Sequence, residues 1–232
     1  MVIMIMKRVS TGIKGLDSML KGGLIAGRTY LVKGCAGAGK TILSTQFLVD
    51  GAKRGEEVMY VTIEESIDEI VENMESLDID VSGIEFVDAS PTGESSVFTG
   101  MFVDVDVQAL KSLLEAKFEE VAPKRLVIDS VTMLRLAKSE LEYRRDLLVL
   151  MSLLKRYGVT SIITSDVYEK SVEDYLVSGV IELQTIEFGG RILRGVRIAK
   201  FRGSDFDENV RPYKIGRGGI EVYADLNLFE KR

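Results

Sequence analysis

The sequence predicts an α/β fold in which helices cover both faces of a mainly parallel central β-sheet. Two observations support this prediction. Between residues 28 and 165, short apolar runs alternate with segments that have the period of a helix. The remaining third contains two pairs of strand-like runs, one around Gly189-Gly190 and one around residues 216–219, which is typical of hairpins. We therefore expect a C-terminal antiparallel β-hairpin section within a single domain, residues 1–232.

Each element of the parallel section has its own signal. Runs of apolar and β-branched residues predict buried strands at 28–34, 57–64, 84–89, 125–130 and 159–165. Helical spacing predicts the segments at 40–55, 66–77, 105–121 and 139–158. Ser66 and Ser139 are each followed by Glu at the third position, which is the capping-box pattern of a helix start. Residues 91–100 contain Pro and Gly and are predicted to form a loop.

The composition excludes several classes of chemistry. The 232 residues are 46% hydrophobic and 28% charged, which is typical of a globular protein, and the net charge of −6 gives no general attraction to nucleic acid. The absence of histidine excludes histidine bases and histidine-ligated zinc. The single cysteine, Cys35, excludes an intrachain disulfide. The apolar start, residues 1–6, is too short for a signal peptide or a membrane span, so we expect a cytoplasmic protein without membrane contact.

A glycine-rich segment joins the strand at 28–34 to the following helix and fits the pattern G-x-x-x-x-G-K-[ST]. Small residues allow backbone N–H groups to surround phosphate oxygens, and the helix directs its positive end at the anion. Lys40 can reach the β- and γ-phosphates, and the Thr41 hydroxyl can hold Mg²⁺. A glycine-rich turn with a chance Lys-Thr pair is the weaker alternative, because both flanking elements match. The predicted nucleotide-binding residues are Gly34, Cys35, Ala36, Gly37, Ala38, Gly39, Lys40 and Thr41, with Cys35 interpreted as a tolerated small residue rather than a redox-sensitive thiol.

Asp129 ends the apolar strand that begins at Arg125, and it is predicted to support Mg²⁺ together with Thr41. The carboxyl ends of parallel strands share one edge of the sheet, so this carboxylate and the phosphate loop should meet. An Asp that only caps a turn is the alternative. The presence of the phosphate loop makes the metal role the better interpretation.

Hydrolysis requires a group that positions the attacking water, and without histidine a carboxylate is the natural candidate. Glu64 and Glu65 follow the second predicted strand and should lie at the same edge of the sheet. Two adjacent carboxylates repel each other, so at least one pKa should be raised. Both residues could instead only stabilise the N-terminus of the next helix, an interpretation that suits Glu65 better than Glu64.

Phosphoryl transfer also uses a cation at the γ-phosphate. Lys200 and Arg202 lie at the end of a predicted hairpin strand, and alternate residues of a strand share one face. They are candidate catalytic cations. Alternatively they are the solvated charges of a basic edge strand, which discourages aggregation. Periodicity alone leaves both interpretations open.

The sequence resembles the KaiC-like branch of the RecA-superfamily ATPases, close to its single-domain forms. Four segments carry the resemblance in the order found in that family: STGIKGLDSMLKGGLIAGRTYLVKGCAGAGKT (10–41), YVTIEES (60–66), RLVIDSVT (125–132) and KFRGSDFDENVRPYKIGRGGIEVY (200–223). The resemblance implies a RecA-like P-loop fold that binds ATP and Mg²⁺ between the subunits of a homo-oligomeric ring, commonly a hexamer. It also implies that Glu64, with or without Glu65, prepares the water and that Lys200 and Arg202 reach the neighbouring subunit's site.

Two further positions match this family. Ile215 and Arg217 correspond to residues that approach the neighbour's adenine. The circadian clock members carry two tandem copies of the domain, whereas this chain has one, so neither the clock role nor the phosphorylation sites of the second copy are implied. The expected function is an ATPase that couples hydrolysis to assembly or signalling, with an unidentified protein partner.

Three other functions remain open. A recombinase-like ATPase would bind DNA through residues 131–143 or 166–179. The second of these segments has four acidic residues against one Lys, which disfavours phosphate contacts, whereas the first has two basic residues. An autokinase could use hydroxyls near the γ-phosphate, such as those of Thr164 and Ser165. A slow nucleotide sensor would bind ATP and hardly hydrolyse it.

Overall fold

The structure is a computed structural model that describes residues 6–99, 104–136, 138–188 and 190–228. The first five residues of the apolar start and Gly189 of the predicted hairpin turn lie outside these ranges. The strands are β1 (Arg8–Val9), β2 (Leu24–Ile25), β3 (Thr29–Gly34), β4 (Val58–Thr62), β5 (Glu85–Asp88), β6 (Phe98–Thr99), β7 (Asp104–Val105), β8 (Arg125–Asp129), β9 (Thr160–Ser165), β10 (Gly179–Phe188), β11 (Arg191–Phe201), β12 (Arg211–Gly216) and β13 (Gly219–Val222). The helices are α1 (Lys14–Met19), α2 (Lys40–Lys53), α3 (Ile67–Glu75), α4 (Val107–Val121), α5 (Glu140–Tyr157) and α6 (Val172–Leu176), with a 3-10 turn at Val131–Arg135.

The main sheet of the described residues has nine strands in the order β13, β12, β11, β10, β3, β9, β8, β4 and β5. The six strands from β10 to β5 are parallel to one another. Strands β11, β12 and β13 each run antiparallel to the strand before them. This arrangement confirms the predicted fold class, including the C-terminal antiparallel section. Strand β3 is the central strand of these nine and the second of the six parallel ones, and the predicted phosphate loop follows it.

Side chains of the parallel strands alternate between two apolar cores, one on each face of the sheet. In β8, Val127 packs into the core that contains Phe47 of α2, whereas Leu126 and Ile128 pack into the core that contains Leu150 of α5. Burial on both faces explains why these strands read as continuous apolar runs. Among the helices described, none is both long and apolar enough to span a bilayer.

Both predicted capping boxes are present. The Ser66 hydroxyl accepts a hydrogen bond from the Glu69 backbone N–H at 3.3 Å, and the Glu69 carboxylate accepts one from the Ser66 N–H at 3.2 Å. The same reciprocal bonds join Ser139 and Glu142 at the start of α5. These local bonds satisfy N–H groups that a helix end leaves unpaired, so they could be read from sequence spacing alone.

Three predicted boundaries are wrong. Helix α2 ends at Lys53 rather than at residue 55. Helix α4 begins at Val107, because the Asp106 carboxylate caps it by accepting the Gln108 N–H at 2.8 Å. Within the segment predicted as a loop, residues 98–99 form β6, which pairs with β7. That strand pair is only two residues long and depends on a partner that no local pattern indicates.

The β10–β11 hairpin places the end of β11 toward the amino end of the parallel strands. Strand β10 pairs with β3 from Gly179 to Leu183, where Leu183 is opposite Gly34. Strand β11 runs in the opposite direction, and its Lys200 is opposite Val180 of β10. The phosphate loop, which follows Gly34, therefore lies at the other end of these strands.

We expect Gly51→Ala to destabilise the protein although alanine is the better helix former. Alanine gains about 1 kcal/mol of helix propensity over glycine. A Cβ at Gly51, however, would lie 2.6 Å from Nε and 2.7 Å from Cδ of the buried Arg125, and overpacking of this kind costs about 1–3 kcal/mol. The net loss should be about 1 kcal/mol in the free energy of unfolding, measured by urea denaturation.

Lys53→Ala is the matched control, because Lys53 is exposed near the end of the same helix. It should change the free energy of unfolding by no more than about 0.5 kcal/mol. A more stable Gly51→Ala variant would show that the helix moves away from Arg125 at little cost.

Candidate functional site

The phosphate loop spans the short gap between the end of β3 and the start of α2. Gly37 and Gly39 have φ values of +74° and +94°, which glycine adopts without the strain of a side chain. Gly34 is required for a different reason, since a Cβ there would lie 2.6 Å from the Leu183 carbonyl oxygen. The loop thus turns tightly and presents its backbone to the cleft in front of α2.

Lys40 lies at the first position of α2 and is only 9% exposed. Its Nζ donates hydrogen bonds to the carbonyls of Gly34 at 3.0 Å and Cys35 at 3.3 Å. It also forms an ion pair with Asp166, which follows β9. The ammonium group therefore stands directly over the loop, where an anionic phosphate would be its partner.

Asp129 is held by three hydroxyl groups from three different elements. Its Oδ2 accepts hydrogen bonds from Thr41 Oγ1 at 2.8 Å and from Tyr60 Oη at 2.6 Å, and its Oδ1 accepts one from Thr164. Strand β8 lies between β4 and β9, which carry Tyr60 and Thr164. Burial, followed by the nearby Asp129 charge, raises the pKa of Tyr60 well above its ordinary value, so its hydroxyl remains a donor.

The glutamate pair lies just beyond β4. Glu64 Oε2 accepts a hydrogen bond from Ser130 Oγ at 3.3 Å, which ties the pair to the residue after Asp129. Partial burial is the largest cause that raises the pKa of Glu64, followed by the charge of Asp166. Burial also raises the pKa of Glu65, followed by the charges of Asp129 and Glu64. The repulsion expected between the two neighbours contributes to the raised pKa of Glu65, whereas the charges that raise the pKa of Glu64 are those of Asp166 and Asp129.

These groups surround a cleft of about 520 Å³. Its described lining residues are Ala36, Gly37, Gly39, Lys40, Thr41, Ile42, Glu64, Glu65, Asn73, Met74, Ser76, Leu77, Asp129, Ser130, Asp166 and Ile215. One hydroxyl and one carboxylate oxygen, from Thr41 and Asp129, lie 2.8 Å apart at its base. Oxygens of this kind are the ligands that Mg²⁺ prefers, with water and phosphate oxygens completing its shell. The residues present therefore fit a Mg²⁺-bound triphosphate.

Two predicted adenine contacts lie in different surroundings. Ile215 lines the cleft of its own chain, and its Cδ1 lies 3.0 Å from the position that a Cβ on Gly39 would take. Arg217 is 89% exposed and forms a 3.5 Å ion pair with Asp78. Within one chain, Ile215 therefore packs against the phosphate loop, whereas Arg217 faces solvent and is accessible to a second subunit.

Lys200 and Arg202 do not reach this cleft within one chain. Lys200 Nζ donates to the carbonyls of Asp174 at 2.5 Å and Val177 at 2.7 Å, and Arg202 Nη2 donates to the Tyr175 carbonyl at 3.1 Å. They line a second cleft of about 630 Å³. Partial burial, followed by the Arg202 charge, lowers the pKa of Lys200. Lys200 and Arg202 share one side of the chain, as predicted. Because Lys200 is half-buried and hydrogen-bonded, the alternative interpretation of the two residues as solvated charges of an edge strand is disfavoured.

Sequence reasoning missed Tyr60 and Asp166 as residues of the site, and it named Thr164 only as a possible phosphate acceptor, not as a partner of Asp129. Asp166 carried the same signal as Asp129, an acidic residue directly after a buried strand, but it was assigned to a possible DNA-binding segment. Tyr60 and Thr164 lie within buried strands, where nothing local separates them from core residues. Thr164 and Ser165 are fully buried, and Thr164 donates to Asp129, which disfavours both hydroxyls as acceptors of phosphate.

A glycine-rich loop on a central strand of a parallel sheet, with a hydroxyl and a carboxylate at its base, defines a RecA-like P-loop nucleotide-binding protein. The chain belongs to the KaiC ATPase family, whose model matches residues 9–227. It is 34% identical over 234 residues to a UPF0273 protein of Thermotoga maritima, with 94% of this chain and 96% of that protein covered. A UPF0273 protein of Pyrococcus horikoshii is 33% identical over 238 residues, with 96% of each chain covered.

A circadian clock protein, KaiC3 of Synechocystis sp., is 32% identical over 232 residues. That match covers 93% of this chain but only 45% of the clock protein. The chain thus spans about half the length of the clock proteins that it matches and nearly the full length of the UPF0273 proteins. These relationships confirm the predicted family and its single-domain branch.

Glu64→Gln should raise the thermal stability of the protein at neutral and alkaline pH. The folded-state pKa of Glu64 lies above its ordinary value of 4.5, so in the pH window just above 4.5 the folded state binds a proton that the unfolded state has released. Ionisation of Glu64 therefore opposes folding as the pH rises through this window. The gain in Tm should be complete at about pH 8 and should shrink as the pH falls toward 4.5, as measured by scanning calorimetry.

Glu119→Gln, at an exposed position on α4, is the control and should give no pH-dependent gain. A Glu64→Gln variant that is less stable than wild type at pH 8, or whose gain grows on acidification, would contradict the assignment of a raised pKa to this carboxyl.

Proposed function

We propose that this protein is a Mg²⁺-dependent ATPase that hydrolyses ATP at the interfaces of a homo-oligomeric ring. The observation that carries the proposal is the convergence of Lys40, Thr41, Asp129 and Glu64 on one cleft. By the same family relationship we propose a hexamer that acts in the cytoplasm in a signalling or regulatory assembly.

The loop and its lysine bind the triphosphate. Backbone N–H groups of the glycine-rich loop and the positive end of α2 stabilise the phosphate charge, and Lys40 contributes its ammonium group. Thr41 and Asp129 would hold Mg²⁺, which would supply positive charge to neutralise the phosphates when bound. Tyr60 and Thr164 fix the Asp129 carboxylate so that it meets the ion in one orientation.

Glu64 is the better candidate for the group that orients and deprotonates the water. The Ser130 hydroxyl holds its carboxylate beside the Mg²⁺ ligand Asp129. A raised pKa makes a carboxylate a stronger base near neutral pH. Glu65 has a raised pKa as well, but the Ser130 hydroxyl is bonded to the carboxylate of Glu64, whereas the bond at Glu65 is made by its backbone carbonyl, which accepts from the Thr62 hydroxyl at 2.5 Å.

The charge that develops on the γ-phosphate needs a cation beyond Lys40. Lys200 and Arg202 are the proposed source, acting on the site of the neighbouring subunit. Their position toward the amino end of the parallel strands separates them from their own phosphate loop. Packing one subunit's second cleft against its neighbour's phosphate loop would complete each site, which is a head-to-tail contact that can close into a ring.

The candidate DNA-binding segments give less support to a recombinase-like function. Lys138 donates to the Asp146 carboxylate at 2.6 Å and to the Val105 carbonyl at 2.8 Å. The Arg135 guanidinium lies over the Tyr143 ring, 5.9 Å from its centroid. Both cations therefore have intrachain contacts that a phosphate backbone would have to displace. Protein partners, rather than nucleic acid, are the proposed targets.

We expect Glu64→Gln to lower kcat for ATP hydrolysis about 100-fold or more, because a positioned base contributes about 10²- to 10⁴-fold. The Kd for ATP should change little, since the loop, Lys40 and Thr41 are unaffected. Steady-state phosphate release and nucleotide titration measure the two quantities separately.

Glu65→Gln tests the second carboxylate, and Glu119→Gln on α4 controls for a lost charge far from the site. A large loss in Glu65→Gln with wild-type turnover in Glu64→Gln would reverse the assignment. Equal and negligible rates in wild type and Glu64→Gln would support a nucleotide sensor instead of an ATPase.

Assembly is the second test of the proposal. Multi-angle light scattering should give a larger mass with ATP and Mg²⁺ than without, because the shared triphosphate would hold Lys200 and Arg202 of each neighbour. Lys200→Ala with Arg202→Ala should lower kcat about 10³-fold, the scale of an arginine supplied by a partner. A monomer under every nucleotide condition would rule out a site that is shared between subunits.

A further inference from the structure

Lys33 is a buried lysine at the end of β3, one residue before the phosphate loop. Its side chain is 1% exposed. Its Nζ forms ion pairs with Asp174 at 2.7 Å and Glu182 at 3.5 Å, and it donates to the Glu169 carbonyl at 3.4 Å. Burial of an ammonium group is costly unless such partners compensate it. A buried lysine near the end of a parallel strand therefore requires a specific reason, and the core packing of the sheet does not provide one.

The main partner of Lys33 organises the short helix α6. While one carboxylate oxygen of Asp174 binds Lys33, the other accepts hydrogen bonds from the Ser171 N–H and hydroxyl, both at 2.9 Å. These bonds start α6 at Val172. Burial acts to raise the pKa of Asp174, but the bonds from Lys33 and Ser171 lower it below the ordinary value, so the carboxyl stays ionised.

Helix α6 in turn holds the Lys200–Arg202 pair. The carbonyl of Asp174 accepts from Lys200 at 2.5 Å, and the carbonyl of Val177 accepts from it at 2.7 Å. The carbonyl of Tyr175 accepts from Arg202 at 3.1 Å. The backbone of α6 and of the residue after it thus sets the position of both cations.

The second carboxylate partner of Lys33 fixes the strand that carries Lys200. Glu182 of β10 lies opposite Lys33 in the sheet, and it also accepts two hydrogen bonds from Arg197 of β11, at 2.6 and 3.0 Å. Strand β11 continues from Arg197 to Lys200. Lys33 therefore contacts both structures that determine where Lys200 stands, α6 through Asp174 and β11 through Glu182.

We propose that Lys33 is a positioning residue that orients Lys200 and Arg202 toward the nucleotide of the neighbouring subunit. This inference rests on the proposed function, in which those two cations act across the interface. Lys33 is bonded to Gly34 through the backbone, and the Gly34 carbonyl accepts from Lys40. The phosphate loop of one subunit is thereby connected, through one side chain, to the cations that the same subunit supplies to the next site.

The first measurement is turnover in single variants. Lys33→Met keeps the length of the side chain and removes its charge, and it should lower kcat about 10- to 100-fold, because misplacement of a catalytic group by about 1 Å has an effect of that size. The Kd for ATP should stay within about twofold, since the chain's own loop is intact. Lys33→Arg should recover part of the lost kcat. Lys111→Met, on the surface of α4, is the control and should retain the wild-type rate.

Mixed rings provide the decisive test. A Lys33→Met subunit has an intact glutamate and a displaced cation pair, whereas a Glu64→Gln subunit has an inactive site and an intact pair. Equal amounts of the two variants are mixed before ATP and Mg²⁺ are added. In a head-to-tail ring each site takes its glutamate from one subunit and its Lys200–Arg202 pair from the next. About one site in four should therefore combine an intact glutamate with an intact cation pair. Turnover per subunit should then rise to about one quarter of the wild-type rate, which is about 2.5- to 25-fold above the rate expected of Lys33→Met alone and further above that of Glu64→Gln.

Lys200→Ala mixed with Glu64→Gln is the reference for this test. If the reference mixture recovers turnover and the Lys33→Met mixture does not, Lys33 acts within its own site and the inference is wrong. If the reference mixture also fails, the shared site of the proposed function is wrong, and the inference is lost with it. Lys33→Met leaves the partly buried Asp174 carboxylate without its cation, whereas Glu182 keeps Arg197, so Asp174→Asn serves as the second variant where Lys33→Met does not fold, with the same expected results. Wild-type kcat in either variant would overturn the inference.

Discussion

Three hydroxyl groups converge on the Asp129 carboxylate, and the geometry of the site depends on this contact. Thr41 comes from the first turn of α2, Tyr60 from β4 and Thr164 from β9. Hydrogen bonds to a carboxylate are among the stronger ones in proteins, and here they join three elements at the carboxyl edge of the sheet. Because β8 lies between β4 and β9, only a parallel arrangement in this order brings the donors together.

The cleft in front of this contact has an excess of negative charge. Among its described lining residues, Lys40 is opposed by Glu64, Glu65, Asp129 and Asp166. A bare triphosphate would meet repulsion from these carboxylates. A divalent cation held by Thr41 and Asp129, as proposed, would reverse that balance locally, because it would be the largest charge in such a site. The electrostatics are therefore consistent with the proposed binding of a Mg²⁺ complex rather than the free nucleotide, and burial, followed by neighbouring carboxylates, raises the pKa values of the glutamate pair.

In the proposed function the site is divided between two ends of the sheet, and this division has a structural cause. Strand β11 runs antiparallel to the strands that bear the phosphate loop, so its last residues lie away from that loop. The hydrogen bonds of Lys200 and Arg202 to α6 hold the cations in place before any partner is bound. Pre-positioning lowers the entropic cost of bringing flexible side chains to a phosphate. In the proposed function, a second subunit supplies the phosphate group that Lys200 and Arg202 contact.

The sequence alone was sufficient to predict the fold class and the two capping boxes. It was also sufficient to predict that the phosphate loop, Asp129 and the glutamate pair lie at one edge of the sheet. Each has a local signal, such as the period of a helix, an apolar run or the spacing of a few residues. The contacts of Tyr60, Thr164, Asp166 and Lys33 were decided only by the tertiary structure. These residues lie within or directly after strands, and their partners are distant in sequence but adjacent in the sheet. Strand order determines which side chains meet at a sheet edge, and strand order is a non-local property that no short segment of the sequence encodes.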